Sequence, residues 1–308
     1  MKNIIIIGSG SFGCALAHVF SKNNNIKLWS YTKEEKDSIN INHQCLQLPQ
    51  IKLDKNIKCY LNYEEAIDNS DIIVLVTPSN VIRKTCQDIK EYISNQEILI
   101  ASKGMENEKL LSDVVKEELN IDPSVIMGPS FAEELGTDKP TFVELSGNKE
   151  LIKDLETEKF IISYNDDLIG LQVCAALKNV ITLASGIIEG LGYGVNSSSY
   201  IFTEGIKEIK EIGIKLGSKE KTFYGLAGIG DLYGTSLSTK SRNKSAGILI
   251  GKGYKIEDVD KEIGSTIEGL DTLKDAKYLI DKYNLNCSLI NNLYDIIYND
   301  GNVKTIIQ

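Results

Sequence analysis

The stretch Ile4-Ile-Ile-Ile-Gly8-Ser-Gly10-Ser-Phe-Gly13 decides the fold, because an apolar run leads directly into three glycines. The run predicts a buried strand, and the apolar residues that follow Gly13 predict a helix. Gly8 permits a tight turn, Gly10 lets backbone amides approach a ligand, and Gly13 lets the helix pack closely on the strand. The start of the helix offers amides and a positive dipole to an anion. The stretch therefore predicts a strand–turn–helix unit that binds the pyrophosphate of a dinucleotide.

The first half of the chain continues with short apolar runs separated by helical patterns. These runs are Ile26–Ser30, Ile72–Val76, Ile98–Ser102, Val125–Met127 and Thr141–Ser146. Runs that are apolar on both faces and alternate with helices are typical of a parallel sheet covered on both sides. We therefore expect an α/β, Rossmann-like N-terminal domain with a parallel-type sheet over residues 1–165.

The second half of the chain has a different sequence pattern, with long segments of helical periodicity in place of strands. These segments are Leu168–Glu189, Ser197–Leu216, Ser241–Ile250, Glu268–Tyr283 and Leu289–Tyr298. We interpret the glycines at 190, 192, 194, 213, 217, 251 and 253 as caps and turns. The sequence predicts an all-α C-terminal domain over residues 166–308 that carries the substrate and catalytic groups.

Composition narrows the class of protein. The 308 residues fit two domains, and 42% hydrophobic and 25% charged residues are ordinary for a globular chain. A net charge of −9 argues against nucleic acid or an anionic membrane surface as a partner. The N-terminus shows no signal-peptide pattern and no uncharged run is long enough to span a bilayer, so we expect a cytoplasmic location. Six scattered cysteines without a Cys-x-x-Cys pair indicate reduced thiols and no zinc site.

The two histidines of the chain, His18 and His43, do not form an acid–base group in the sequence. We place His18 on the first helix and His43 in a polar loop, away from any other acid–base residues. This argues against histidine-based hydride chemistry and against a histidine metal cluster. If the chain is a dehydrogenase, another side chain must move the proton.

Lys178 is the only charge in the apolar stretch from Leu171 to Gly186. A lysine that is partly desolvated and lies beside another cation has a lowered pKa, which suits proton exchange near neutral pH. Lys178 is therefore the candidate acid–base group, and Asn179 could hold a substrate hydroxyl or the lysine. The alternative is a lysine whose stem lies along the buried helix while its ammonium reaches solvent.

Other polar residues follow predicted strands or begin predicted helices. Lys103 and the segment Gly128-Pro-Ser130-Phe-Ala132 come after strands, where open α/β sheets bind ligands. Lys103 could equally be a surface lysine, and Ser130 could be only a helix N-cap. Downstream, Asp231 lies in a small-residue turn, and Ser241-Arg242-Asn243 opens a helix whose arginine could bind a phosphate.

Several short motifs together resemble one known family. They are Gly8-Ser-Gly-Ser-Phe-Gly13, Ser102-Lys-Gly-Met-Glu106, Gly128-Pro-Ser-Phe-Ala-Glu133, Ala176-Leu-Lys-Asn-Val180, Gly228-Ile-Gly-Asp-Leu232, Ser241-Arg-Asn243 and Ile267-Glu-Gly269. In order and spacing the chain resembles the NAD(P)-dependent glycerol-3-phosphate dehydrogenase family of bacterial type over essentially its whole length. The resemblance implies reduction of dihydroxyacetone phosphate to sn-glycerol 3-phosphate by hydride transfer from NADH or NADPH. It also implies that the protein forms a homodimer and that the product of its reaction feeds glycerophospholipid synthesis.

The resemblance also implies roles for individual residues. Lys178 corresponds to the proton acceptor, with Lys103 and Asp231 in the polar catalytic site. The implied contacts to the phosphorylated substrate are Lys103, Gly128, Ser130, Lys178, Asp231, Ser241, Arg242 and Asn243. The expected cofactor contacts are Gly8, Gly10, Ser11, Phe12, Gly13, Tyr31, Lys103, Ala132, Arg242 and Glu268. We expect the substrate in the interdomain cleft, with its phosphate near Arg242.

The choice between NAD(H) and NADP(H) depends on the end of the second strand. An NAD-specific site usually places an acidic residue there, which binds the ribose 2′-hydroxyl. Here the position reads Ser30-Tyr31-Thr32-Lys33, and Glu34 and Glu35 come only afterwards. The missing acid and the nearby lysine favour NADP(H), while a solvated helix start is the alternative reading of the same residues.

Two other functions compete with this interpretation. Another β-hydroxyacid-type dehydrogenase could share the two-domain plan and the Lys-Asn pair, but the motifs at Gly128–Glu133 and Ser241–Asn243 favour the glycerol phosphate enzyme. A non-catalytic dinucleotide sensor would share the glycine motif, yet it would not need a set of catalytic cations and a buried carboxylate.

Overall fold

The computed structural model describes residues 1–238, 241–264 and 266–308, and the chain divides into two compact units. The first unit contains Met1–Lys103 and Leu111–Leu168, and the second contains Gly104–Leu110 and Ile169–Gln308. The division differs from the expected one at residues 104–110, which belong to the second unit, and at residues 166–168, which belong to the first. The strands are β1 (Asn3–Ile7), β2 (Asn25–Trp29), β3 (Lys58–Tyr60), β4 (Ile72–Leu75), β5 (Glu97–Ile100), β6 (Met105–Glu106), β7 (Lys109–Leu110), β8 (Ser124–Met127), β9 (Thr141–Ser146) and β10 (Phe160–Tyr164).

Helices cover the sheet of the first unit and make up most of the second. They are α1 (Ser11–Phe20), α2 (Lys33–Asn42), α3 (Tyr63–Ile67), α4 (Ile82–Ile89), α5 (Leu111–Leu119), α6 (Ala132–Leu135), α7 (Leu151–Leu155), α8 (Leu168–Gly190), α9 (Val195–Leu216), α10 (Asp231–Leu237), α11 (Arg242–Gly251), α12 (Ile256–Ile263), α13 (Glu268–Tyr283) and α14 (Ser288–Tyr298). The predicted fold class, an α/β domain followed by a helical one, is confirmed.

The first unit is built on an eight-stranded sheet with the order β10-β9-β8-β5-β4-β1-β2-β3. The pairs are parallel except β8 with β9, which run antiparallel, so the predicted parallel-type sheet needs this one correction. The chain between β8 and β9 contains only the short helix α6. Strand order reverses at β1, which pairs with β2 on one side and β4 on the other. In such sheets the carboxyl end of this strand is where ligands bind.

The core of the first unit explains why β1 and α1 form where the sequence predicts them. The four isoleucines of β1 are fully buried because α-helices cover both faces of the parallel sheet. On α1 the side chains from Cys14 to Ala17 are also buried against the sheet. Phe20, at the end of α1, packs edge-to-face on Phe160 of β10, with ring centroids 5.8 Å apart.

Helix α8 is the core of the second unit, and most of its side chains are buried. By length and composition it would also pass as a membrane span, but 94% of its most apolar window lies inside the protein, as expected of a core helix. The unit is not purely helical, because β6 and β7 form a small antiparallel hairpin. The backbone amide of Glu108, in the hairpin turn, donates to the Asp275 carboxylate of α13 at 3.0 Å, which holds residues 104–110 in this unit.

Four glycines let α8 and α11 touch backbone to backbone. A Cβ added at Gly186 would lie 2.9 Å from the Cα of Gly247, and one at Gly190 would lie 2.9 Å from the Cα of Gly251. Gly190 and Gly251 are the last residues of α8 and α11, in keeping with their interpretation as helix ends, and they are also required for this close approach. Gly213 is a packing glycine too, within α9, whereas Gly217 does end that helix in the left-handed conformation.

Candidate active site

The glycine loop, residues Gly8–Gly13, joins β1 to α1 in the first unit. Gly8 has a φ of +121°, and an added Cβ would lie 3.1 Å from the backbone carbon of Val76 beyond β4. At Gly13 an added Cβ would overlap the carbonyl oxygen of Gly8, so only glycine lets the helix approach the turn. Gly10 is different, because nothing lies within 4 Å of its added Cβ. Gly8 and Gly13 therefore serve the packing, and Gly10 leaves open space beside the backbone.

The first turn of α1 faces this open space with backbone amides. Ser11 and Phe12 begin the helix, Gly10 offers no side-chain cap, and the first turn contains no acidic residue. Amides at a helix N-terminus that have no side-chain cap are free to bind an anion. The glycine loop therefore fits the pyrophosphate of a dinucleotide, as the sequence predicts.

Lys103, Gly128 and Ser130 meet at one carbonyl group in the first unit. The Lys103 Nζ and the Ser130 hydroxyl each donate to the carbonyl oxygen of Gly128, both at 3.1 Å. Gly128 has a φ of +141°, and an added Cβ would lie 3.1 Å from the Cα of Val143. Ser130 is not an N-cap, since α6 begins only at Ala132, so that alternative was wrong. Three of the predicted substrate contacts are therefore neighbours.

The lysine cluster, defined as Lys178, Asp231 and Thr235, lies inside the second unit. The Lys178 Nζ donates to the Asp231 carboxylate at 2.7 Å and to the Thr235 hydroxyl at 3.1 Å. Lys178 is 6% exposed and Asp231 is 1% exposed, so the ammonium does not reach solvent along the helix. The ammonium is paired with a carboxylate, a partner that the sequence analysis did not assign to it. Burying a charge in a low-dielectric site is costly, and here each charge is stabilised by its contact with the opposite one.

The local backbone explains how Asp231 and Thr235 face Lys178. Residues Leu226–Gly230 form a turn of π-helix that runs directly into α10, where the sequence predicted a simple turn. At Gly228 an added Cβ would overlap the Phe223 backbone, so the tight turn requires glycine. Asp231 and Thr235 are four residues apart on α10 and share one face. Thr235 was missed in the sequence, although this spacing from Asp231 could have identified it.

A second polar group lies next to the lysine cluster in the same unit. The Asn179 amide donates to the Glu268 carboxylate at 3.3 Å, and the backbone amide of Gly269 donates to the Asn243 side-chain oxygen at 2.9 Å. A Cβ added at Gly269 would lie 2.9 Å from the carbonyl oxygen of Asn179. The start of α13 therefore packs on α8 directly beside Lys178, which brings two more predicted residues, Asn243 and Glu268, to the same place.

Helix α11 presents the other predicted phosphate contacts. Ser241 caps the helix, with its hydroxyl accepting from the backbone amide of Lys244 at 3.3 Å. Arg242, the first residue of the helix, is exposed, and Asn243 is buried. Because the paired glycines hold α11 against α8, the position of Arg242 is tied to the helix that carries Lys178.

The predicted cofactor residue Tyr31 lies two residues beyond the end of β2 and is 86% exposed. Thr32 caps α2, with its hydroxyl accepting from the backbone amide of Glu35 at 3.3 Å. The Glu35 carboxylate turns back and accepts from the hydroxyls of Ser9 and Ser30, each at 2.8 Å. Glu35 was missed as a site residue, because the sequence places it several residues beyond the strand end.

The histidines lie apart from these groups. His18 contacts the Asp138 carboxylate at 3.2 Å and the Lys52 carbonyl oxygen at 2.9 Å on a partly exposed face. His43 directly follows α2 in the left-handed conformation. Within residues 1–238, 241–264 and 266–308, no three His, Cys, Asp or Glu side chains are grouped to hold a metal ion. All six cysteines fall in these ranges, and all are buried and form no disulfide.

Comparison with known families covers nearly the whole chain. Residues 3–152 match the model of the NAD-dependent glycerol-3-phosphate dehydrogenase N-terminus, and residues 167–308 match the model of its C-terminus. The second model begins close to the boundary between the two structural units at residue 168. Both halves of the chain therefore point to one family.

Individual relatives agree with this match. A glycerol-3-phosphate dehydrogenase [NAD(P)+] of Fusobacterium nucleatum is 40% identical, over 100% of this chain and 96% of the relative. One from Bacillus subtilis is 37% identical, over 100% and 93%. The crystal structure of a glycerol-3-phosphate dehydrogenase from Coxiella burnetii superposes with a TM-score of 0.94 at 31% identity, covering 100% of this chain and 98% of that one.

Proposed function

The chain belongs to the NAD-dependent glycerol-3-phosphate dehydrogenase family, and we propose that it reduces dihydroxyacetone phosphate to sn-glycerol 3-phosphate with NADH or NADPH, using Lys178 as the acid–base group. The buried lysine cluster is the observation that carries this proposal, because it holds an ammonium proton donor in a fixed position inside the second unit. The dinucleotide, when bound, supplies the hydride. The residues of this chain supply binding, orientation and the proton.

Lys178 performs the proton transfer in this mechanism. As the substrate carbonyl carbon gains the hydride, its oxygen develops negative charge and takes a proton from the Lys178 ammonium. The amine that remains is neutral and regains its proton from solvent before the next cycle. In the reverse direction the neutral amine removes the hydroxyl proton of glycerol 3-phosphate.

Asp231 and Thr235 act by positioning the ammonium. The 2.7 Å contact with the carboxylate and the 3.1 Å contact with the hydroxyl leave Nζ little freedom to rotate away. Asp231 also stabilises the protonated form of the lysine, which is the form that reduction consumes. The neighbouring Asn179 amide is held by Glu268, so α8 presents two fixed polar groups in succession.

Cations on both units are assigned to the charged parts of the ligands. Arg242 at the start of α11 can donate two parallel hydrogen bonds to the substrate phosphate, and the helix N-terminus adds its dipole. Lys103, held at the Gly128 carbonyl, stabilises negative charge that develops on the substrate oxygen. Gly128, Ser130 and Ala132 line the backbone turn beside it. The chain has a net charge of −9, but the local positive field of these cations attracts a phosphorylated ligand to the site.

The decisive experiment follows the loss of reduced-nicotinamide absorbance with purified protein, dihydroxyacetone phosphate, and NADH or NADPH in parallel. We expect rapid oxidation that depends on the triose phosphate. Unphosphorylated dihydroxyacetone is the matched control, and we expect it to react far more slowly. Folded protein that binds a dinucleotide but oxidises neither cofactor would contradict the proposal, as would much faster turnover of 6-phosphogluconate.

Three further expectations follow from the family resemblance. We infer that the product feeds glycerophospholipid synthesis, that the protein is cytoplasmic, and that it forms a homodimer through the helical unit. Light scattering on the purified protein tests the dimer, and a mass of one chain, 34.1 kDa, would contradict it.

A further inference from the structure

We propose that Glu35 makes this protein prefer NAD(H) over NADP(H), by placing a carboxylate where the adenosine ribose of the dinucleotide binds. The inference rests on the proposed function and names the cofactor of that same site. It reverses the preference for NADP(H) that the order of residues after β2 favours.

The end of β2 lies beside the glycine loop. Trp29, the last residue of β2, pairs with Ile7 of β1, and its carbonyl oxygen accepts from the backbone amide of Gly8 at 3.1 Å. A dinucleotide whose pyrophosphate lies at this loop carries its adenosine ribose toward the end of β2. An acidic side chain at that place accepts hydrogen bonds from the ribose hydroxyls, which is how NAD is selected.

Glu35 brings a carboxylate to this place although it lies on α2. Its Oε2 accepts from Ser30, which follows β2, and from Ser9, which stands between Gly8 and Gly10. Both serines are buried, with exposed fractions of 1% and 3%, so the two donors are rigid. The carboxylate is therefore attached both to the strand end and to the glycine loop. The Glu35 carboxylate therefore takes the place of the acidic residue that NAD-specific sites usually have at the end of the second strand and that the stretch Ser30-Tyr31-Thr32-Lys33 lacks.

The carboxylate is held in its charged form. Partial burial opposes ionisation, but hydrogen bonds from Ser9, Ser30 and Gln47 outweigh it and lower the pKa of Glu35. A fixed negative charge at the ribose repels the additional phosphate of NADP(H), while the 2′-hydroxyl of NAD(H) can donate to it. Lys33 is the cation that could favour NADP(H), but its side chain is exposed, and solvent and salt screen it.

The test measures dinucleotide binding by calorimetry, without substrate, for NAD⁺ and NADP⁺. The wild-type protein is expected to bind NAD⁺ at least about tenfold more tightly. Glu35→Gln keeps the shape of the side chain but removes the charge, so the ratio of the two Kd values should fall by about tenfold. The matched control is Glu34→Gln, which removes the same charge from the exposed neighbouring residue and should leave the ratio unchanged.

Two outcomes would overturn the proposal: tighter binding of NADP⁺ by the wild-type protein, or equal ratios in the Glu35→Gln and Glu34→Gln variants. A Lys33→Met variant adds an independent check, because a large loss of NADP⁺ affinity there would assign the selectivity to the lysine instead. The assay with dihydroxyacetone phosphate separates this proposal from the function. Turnover with either cofactor supports the reaction whatever the ratio, and the ratio alone decides the role of Glu35.

Discussion

The glycine loop of the first unit and the lysine cluster of the second are built in opposite ways. The loop is a continuous stretch, Gly8–Gly13, whose binding groups are backbone amides and whose shape depends on missing side chains. The lysine cluster consists of side chains from α8 and α10 that are 53 and 57 residues apart in the chain. The glycine loop therefore depends on local geometry, whereas the lysine cluster depends on how the helices pack.

The largest expected effect concerns the buried ion pair of the lysine cluster. Asp231→Ala leaves the Lys178 ammonium buried without its carboxylate, so we expect the free energy of unfolding to fall by about 3–5 kcal/mol. The double variant Lys178→Met with Asp231→Ala should recover part of this loss, since no lone charge remains. Urea denaturation of the two single variants and the double variant measures the coupling.

An exposed ion pair in the same unit is the matched control for that cycle. Lys210 and Glu220 are 3.0 Å apart, with the carboxylate largely exposed, so Glu220→Ala should cost less than about 1 kcal/mol. Equal losses for Asp231→Ala and Glu220→Ala would mean that the lysine cluster is not buried as described.

Two glycine variants test the division of roles in the glycine loop. Gly13→Ala forces a Cβ onto the Gly8 carbonyl, so we expect a loss of about 1–3 kcal/mol of stability without any ligand. Gly10→Ala has open space for its Cβ and should keep stability within about 1 kcal/mol of the wild type. It should nevertheless weaken NAD⁺ binding, because the Cβ occupies the ligand's approach. Thermal unfolding and calorimetry separate the two effects, and equal stability of the two variants would contradict this assignment.

A smaller effect is expected from Glu208, which links α9 to α14 in the second unit. Its carboxylate accepts from the backbone amides of Leu289 and Ile290, at 2.7 and 2.9 Å. Burial nevertheless raises the pKa of Glu208 to about 7 from its ordinary value of 4.5. Because the folded state then binds the proton more tightly than the unfolded chain, stability falls as pH rises from about 4.5 to about 7.

Glu208→Gln should remove most of this pH dependence, measured as the difference between the variant and the wild type in urea unfolding across the window. Glu257→Gln, at an exposed position of α12, is the matched control. Parallel pH profiles for the wild type and Glu208→Gln would show that this carboxylate titrates normally.

The parts of the molecule that could be predicted from sequence are those set by neighbours in the chain. The glycine loop, most of the buried strands and the long helices follow from local patterns, and they were predicted within a few residues. The two edge strands β3 and β10 were not predicted, and β3 has only three residues, of which only Cys59 is buried. The antiparallel pairing of β9 was not predicted either, since alternating runs alone do not specify strand direction.

The features that were missed depend on contacts between distant residues. Gly190 and Gly251 look like helix ends in sequence, and only the contact of α8 with α11 shows that they are packing residues. Lys178 was identified from its apolar surroundings, but its partner charge could not be read from them. Glu35 was passed over because counting along the chain from the glycines cannot show that a side chain turns back to the strand end.

The central claim is that Lys178 supplies the proton, and a Lys178→Met variant tests it most directly. Turnover of dihydroxyacetone phosphate should fall by roughly 10²–10⁴-fold, the usual range for loss of a general acid–base group. NAD⁺ affinity, measured by calorimetry, should remain close to that of the wild type, because the glycine loop is unchanged. Lys207→Met, an exposed lysine on α9, serves as the control. Turnover near the wild-type value in folded Lys178→Met protein would contradict the account.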